Sequence, residues 1–229
     1  MPPGRKNSSK ERDMKRLYYD SSYIKTFTAA VTGCREGKKG LWEVTLDQTA
    51  FFPEGGGQPY DTGTLGEARV KEVHERGEEV IHYTDRPLTV GETVEGAIDW
   101  DRRFDNMQGH SGEHIITGCI HRRFGYDNVG FHMGSEEITI DFNGMITGEE
   151  LDEMEAEANE AIYRNLPVQI LTPTPEELKD MEYRSKKELT GQVRITVIPG
   201  VDVCACCGTH VEHTGEVGLI KVLGMIHYK

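Results

Sequence analysis

The hydrophobic period of the chain changes once, near residue 100. From Leu17 to about Trp100, apolar and polar residues alternate in short runs: LWEVTLDQTAF (41–51), ARVKEVHERG (68–77), EVIHYT (79–84) and ETVEGAIDW (92–100). Alternation every second residue belongs to strands with one buried face. GKKG, GGGQPYDTG, ERGEE and DRPLTVGE lie between the runs and carry turn residues at short spacing, so this half predicts a small β-barrel, opened by a strand-like LYY at 17–19.

Beyond Asp101 the period becomes helical. In NMQGHSGEHIITGCIHRRFG (106–125), Ile115, Ile116, Cys119, Ile120 and Phe124 recur every three or four residues, and Gly125 is placed to cap the helix. EEITIDFNG (136–144) reads as a strand. TGEELDEMEAEANEAIYRN (147–165) predicts a second helix, with Thr147 and Glu150 forming a capping box and Arg164 in the last turn. Its seven acidic residues form a solvated face. Strands around VQILTP and VRITVIP flank a charged helix at 175–189, and GLIKVLGMI (218–226) is expected as a final strand. The fold class is therefore α+β, a small β-barrel followed by an α+β domain. The expected division is a flexible tail at 1–13, a β-barrel domain with a glycine-rich loop at 14–100, and a second domain at 101–229.

Composition narrows the function. With 26 Lys and Arg against 39 Asp and Glu, the net charge of -13 argues against a protein that coats nucleic acid through its phosphates. Local basic clusters remain at Arg102 with Arg103, Arg122 with Arg123, and Arg184 with Lys186 and Lys187. No run approaches the roughly 18 apolar residues of a membrane span, and the basic N-terminus has no apolar stretch behind it to act as a secretory signal. Five cysteines, three of them in CACC, fit a reducing compartment and a metal or redox role, so the cytoplasm is the expected location.

HSGEH (110–114) matches H-x-x-E-H, in which two histidines bind zinc and the glutamate activates water for peptide hydrolysis. His110 and His114, four apart on a helix, can face one ion. Cys206 and His210 repeat the spacing, and imidazole and thiolate are ligands that zinc prefers. Two such pairs about ninety residues apart suggest one site stapled across two elements. Cys204 and Cys207 add a CxxC, either a redox pair or competing ligands, outside the βαβ setting of a thioredoxin-type motif. A peptidase would take Glu113 as base and a third ligand such as Glu153, Glu155 or Glu157. That reading leaves Cys206 and His210 idle.

MQGHSGEH (107–114), CCGTHV (206–211) and FFPEGGGQPYDTG (51–63) together resemble the freestanding alanyl-tRNA editing proteins, the AlaX family, and the editing domain of alanyl-tRNA synthetase. The resemblance runs from about Leu17 to the C-terminus. It implies an N-terminal β-barrel joined to an editing domain of the threonyl/alanyl-tRNA synthetase type. The implied activity is hydrolysis of misacylated tRNA(Ala), chiefly seryl-tRNA(Ala) and in some members glycyl-tRNA(Ala). By the same resemblance His110, His114, Cys206 and His210 hold Zn2+, while Cys204 and Cys207 neighbour the site. Gly55, Gly56, Gly57 and Gln58 correspond to a loop near it, or else form a tight connection needing positive φ. Glu113 becomes a helix-surface residue. His132 falls near a substrate-pocket glutamine and is a candidate to contact substrate or relay a proton. Thr209, Ser111 and Gln58 are candidates to bond a serine hydroxyl. Four protein ligands describe a closed zinc site, whereas catalytic zinc usually keeps a position open; the spacing leaves both open. The chain has no space for an ATP-binding aminoacylation core, so kinship to a ligase does not imply ligation. The non-editing alternatives are the H-x-x-E-H peptidase and a noncatalytic, zinc-stabilised RNA-binding module.

Overall fold

The computed structural model describes residues 14–185 and 192–227; the predicted tail at 1–13 and the Lys186–Lys187 pair lie outside the described residues. The chain divides into two compact units, one formed by the residues up to Pro53 with Thr62–Ile98, the other by Glu54–Asp61 with the residues from Asp99 onward. The glycine-rich segment thus belongs to the second unit, although in sequence it lies between strands of the first.

The first unit contains β1 (Lys15–Arg16), α1 (Leu17–Asp20), β2 (Thr26–Glu36), β3 (Trp42–Leu46), β4 (Gln48–Thr49), β5 (Gly63–Leu65), β6 (Ala68–Arg76), β7 (Glu79–Thr84) and β8 (Thr93–Ile98). Six strands pair antiparallel in the order β2-β3-β7-β6-β5-β8, and β8 returns to β2, so the sheet closes on itself. β2 serves two neighbours: Thr26–Ala30 pair with β8, the later residues pair with β3, and the register shifts between Val31 and Gly33. A bulge of this kind bends a strand enough to turn a sheet. LYY belongs to a helical turn rather than a strand, with Leu17 and Tyr18 both buried.

Inside this sheet His82 is fully buried. Its Nδ1 donates to the Val44 carbonyl at 3.1 Å, and its Nε2 meets Thr49 Oγ1 at 2.8 Å. The carbonyl accepts only, so the neutral ring is the satisfied form, and burial lowers the His82 pKa to about 4. Above pH 6.5 folded and unfolded states are both neutral here. As pH falls from 6.5 toward 4, the unfolded chain takes up the proton first and stability is lost. Between pH 7 and 4.5 this loss amounts to roughly 2–3 kcal/mol. Urea unfolding followed by Trp42 emission in a Trp100→Phe background should show the loss, and His82→Gln should remove that share of it.

The second unit carries α2 (Trp100–Phe124), β9 (Asn128–Met133), β10 (Ile138–Phe142), α3 (Gly148–Tyr163), β11 (Gln169–Leu171), α4 (Pro175–Lys179), β12 (Ile195–Ile198), β13 (Asp202–Ala205) and a 3-10 turn at Thr214–Val217. β9 and β10 form an antiparallel hairpin, and β11-β12-β13 an antiparallel sheet. Ile115, Ile116, Cys119 and Ile120 of α2 pack with Met154, Ala158 and Ile162 of α3 and with Ile198. α2 is also buried through polar residues, among them Arg103, Asn106, His110, Ser111, Glu113, His114 and Thr117. Such burial is tolerable only where each group finds a partner.

Two predicted elements differ. The charged helix from Pro175 ends at Lys179, since none of its residues is buried and a capping box from Thr174 and Glu177 sustains little more than one turn. Residues 180–185 are not helical, and 186–189 lie outside the described residues. The segment 218–226 is not a strand: Asn159 of α3 bonds both backbone groups of Ile220, at 2.7 and 2.9 Å, and so takes the place of a sheet neighbour. Ile220 and Val222 pack on the α2–α3 core, while Leu219, Leu223 and Ile226 stay exposed.

Candidate metal centre

The helical spacing of α2 does bring His110 and His114 to one face, with ring centroids 5.4 Å apart. The CCGTH pair reaches the same place by another route. Residues 206–210 form a loop after β13, not a helix, and turn back at Gly208, whose N–H donates to Cys206 Sγ at 3.3 Å. A side chain at 208 would collide with the His110 ring. Cys206 Sγ lies 3.4 Å from His110 Nε2 and 3.3 Å from His210 Nε2. One donor atom from each of His110, His114, Cys206 and His210 lies within 4.8 Å of the others, a group that could hold a metal ion.

Each imidazole is oriented from behind. His110 Nδ1 donates to Gln58 Oε1 at 2.9 Å, His114 Nδ1 to Asp202 Oδ2 at 2.7 Å, and His210 Nδ1 pairs with Ser111 Oγ at 3.3 Å. A bonded Nδ1 leaves Nε2 to ligate. His114 Nε2 is buried with no hydrogen-bond partner among the described residues, an orphaned donor position that a cation would satisfy. Burial alone would raise the Cys206 thiol, but the flanking His110 and His210 hold it well below its ordinary value. Burial lowers the His210 pKa to about 4 although Cys206 opposes the shift. Burial would likewise lower His114, yet its hydrogen bond to Asp202 raises it well above the usual value. Asp202 is itself lowered against the effect of burial, by His114 and by Arg184. His114, Asp202 and Cys204 also cluster, but both Asp202 oxygens are engaged, so that group serves as a support rather than a second centre.

The glycine-rich segment is a tight turn. Gly55 and Gln58 exchange backbone hydrogen bonds at 3.1 and 3.0 Å, with φ of +61° at Gly56 and +85° at Gly57. A side chain at Gly57 would also strike Phe131. The turn delivers the fully buried Gln58, whose Oε1 additionally accepts from Thr209 N at 3.1 Å and whose Nε2 donates to Thr209 Oγ1 at 2.8 Å. Arg102 Nε bonds the Tyr60 carbonyl at 3.0 Å, and Arg103 Nε lies 3.0 Å from each Asp61 oxygen in a fully buried ion pair.

The structure thus brings Gln58, Ser111 and Thr209 to the cluster, the first two as supports for histidines. His132 is not brought there. In β9 its neighbour Phe131 faces the site, with its ring centroid 5.2 Å from His110, and strand alternation turns His132 outward, where it is exposed. Glu113 is buried, not on the helix surface, and its Oε2 lies 3.9 Å from His114 Nε2. The described arginines of the basic clusters are engaged: Arg103 by Asp61, Arg122 by Glu157, Arg123 by Glu153, and Arg184 by Asp202. Sequence reasoning missed Asp202, Asn128 and Phe131. For Asp202 there was a signal, since residues 202 and 204 of a buried strand share a face.

A helix-borne histidine pair and a loop-borne Cys-x-x-x-His are gathered by one α+β unit into a group that could hold a metal ion. Residues 7–102 match the family model of class II (A) tRNA synthetases, and residues 193–228 that of the threonyl and alanyl tRNA synthetase second additional domain. The chain is 36% identical over 219 residues to the alanyl-tRNA editing protein Aarsd1 of Bos taurus, covering 89% of this chain and 49% of that one. It is 35% identical over 219 residues to the alanyl-tRNA editing protein AlaX-L of Pyrococcus horikoshii, covering 92% and 54%. It is 34% identical over 222 residues to an alanine–tRNA ligase of Ignicoccus hospitalis, covering 91% and 24%. The chain belongs to the alanyl-tRNA editing family, and it spans about half the length of the two editing proteins.

The buried Arg103–Asp61 pair yields a stability prediction. Arg103→Met leaves a buried, uncompensated carboxylate and should cost about 3–5 kcal/mol, whereas Arg103→Met with Asp61→Leu should recover most of it. Urea unfolding followed by Trp100 emission in a Trp42→Phe background measures both.

Proposed function

We propose that this chain is a zinc-dependent editing hydrolase that removes wrongly attached amino acids from tRNA(Ala), with seryl-tRNA(Ala) the chief substrate and glycyl-tRNA(Ala) a second. The observation that carries this reading is the convergence of His110, His114, Cys206 and His210 in a chain whose relatives include proteins named as alanyl-tRNA editing proteins. Three imidazoles and a thiolate suit zinc, and the orphaned His114 Nε2 fits an ion at this point. When bound, zinc would supply Lewis-acid polarisation of the aminoacyl ester.

The chain's own residues divide the remaining work. Gln58 and Ser111 orient His110 and His210. Thr209 Oγ1 accepts from Gln58 Nε2, which leaves the Thr209 hydroxyl proton to donate to an oxygen of the acyl group. A serine side chain can use that partner and an alanine side chain cannot, a difference of about 1–3 kcal/mol. The turn at Gly55, Gly56 and Gly57 supplies backbone close to this point. Tight binding of tRNA would rest on a confined patch with a modest salt slope, given the acidic balance of the chain. The cytoplasm is the proposed setting, and no described helix is long and apolar enough to cross a membrane. Against the peptidase reading, the candidate third ligands Glu153, Glu155 and Glu157 are paired with Arg123, Lys221 and Arg122.

Deacylation of seryl-tRNA(Ala), beside alanyl-tRNA(Ala), tests the reading with zinc content measured on each sample. Wild type should clear the seryl ester and spare the alanyl ester. Cys206→Ala should lose zinc and at least about a hundredfold in kcat/KM, since the charged ligand is gone. Thr209→Val should retain zinc and lose roughly tenfold to a hundredfold on the seryl ester alone. Zinc-loaded wild type that leaves the seryl ester intact would overturn the assignment.

A further inference from the structure

Glu113 lies in the H-x-x-E-H run but takes no part in orienting the three imidazoles. It is 2% exposed, on the side of α2 that meets β9. Its position is set by Asn128. Gly130 N–H donates to Asn128 Oδ1 at 3.0 Å, which turns the amide so that Asn128 Nδ2 donates to Glu113 Oε1. The other oxygen, Oε2, lies 3.9 Å from His114 Nε2, the ring nitrogen that no described residue hydrogen-bonds.

A carboxylate in such a place is costly unless positive charge is close, and its influence is large because little water screens it. Positive charge is close: Arg184, whose Nε and Nη2 each lie 2.9 Å from one Asp202 oxygen, also acts on Glu113, and Arg194 directs Nη1 to the carbonyls of Cys207 and Gly208, at 3.2 and 3.4 Å. A carboxylate at Glu113 adds negative charge 3.9 Å from a nitrogen of the group that could hold a divalent cation. Glutamine at 113 would accept from Asn128 equally well, so what glutamate adds at this position is charge.

We propose that Glu113 is a charge-setting residue of the centre: held by Asn128 beside His114, its carboxylate raises divalent-metal affinity without joining the ligands. The assignment rests on the metal reading above. The group that could hold an ion is complete without Glu113, which supports a place outside the ligand set.

Competition titration of Zn2+ against a chromogenic chelator, paired with absorption spectra of the Co2+-substituted protein, tests this. Glu113→Gln should weaken metal binding roughly tenfold to a hundredfold, the range for partners just outside a ligand set, while the Co2+ bands keep their positions. Asn128→Leu, which releases the carboxylate, should weaken binding in the same direction, and it decides the matter if Glu113→Gln does not fold. Affinity within about twofold of wild type in a folded Glu113→Gln protein would overturn the proposal. So would shifted Co2+ bands, which would make Glu113 a ligand. Wild type that binds no divalent metal fails the centre itself and is recognised before any variant is compared.

Discussion

Three imidazoles can point one nitrogen each toward Cys206 because the other nitrogen of each is bonded from behind. The acceptors differ in kind and origin: an amide oxygen from the glycine-rich turn, a carboxylate from β13, and a hydroxyl from α2 itself. Much of the second unit can be understood as the means of holding these acceptors in place. Arg103 and Asp61 fasten the turn to α2, and Arg184 steadies Asp202 while its Nη2 bonds Thr117 Oγ1 at 3.1 Å. Val211 N–H donates to Ser111 Oγ at 3.1 Å, tying the hydroxyl to the loop that carries His210. An imidazole without such a partner would be free to present either nitrogen, and four donors would no longer converge.

The same arrangement explains why α2 is buried while carrying so many polar residues. An apolar helix of this length would pack on α3 and the sheet without difficulty, but it could not gather ligands. Most of the buried polar groups are tolerable because they bond one another, and of the two α2 nitrogens left unmatched among the described residues, Asn106 Nδ2 and His114 Nε2, the second lies among the other donors. Electrostatics follows from this geometry. Two histidines beside Cys206 favour the thiolate against its burial, and Asp202 accepts the proton on the back of His114.

Much of this was legible in the sequence. Alternation marked the strands of the first unit, the capping box at Thr147 and Glu150 marked the start of α3, and Gly125 marked the end of α2. These are local effects, set within a few residues. The HxxxH pair was legible for the same reason, because helical spacing alone places both rings on one side. The repeated spacing and the motif resemblance both pointed to Cys206 and His210, yet neither revealed that a loop turning at Gly208, rather than a helix, brings them together.

The sequence by itself determined which residues share a face of each element: His110 with His114 on α2, Asp202 with Cys204 on β13, Phe131 apart from His132 on β9. Only the tertiary structure decided which of those faces meet. It turned Phe131 toward His110 and His132 outward, buried Glu113 against Asn128, placed Gln58 between His110 and Thr209, and let Asn159 stand in for a strand beside Ile220. The physical reason is that periodicity is a property of one element and its own backbone. A partner across a gap of fifty or a hundred residues is chosen by packing and by the cost of leaving a buried polar group unpaired.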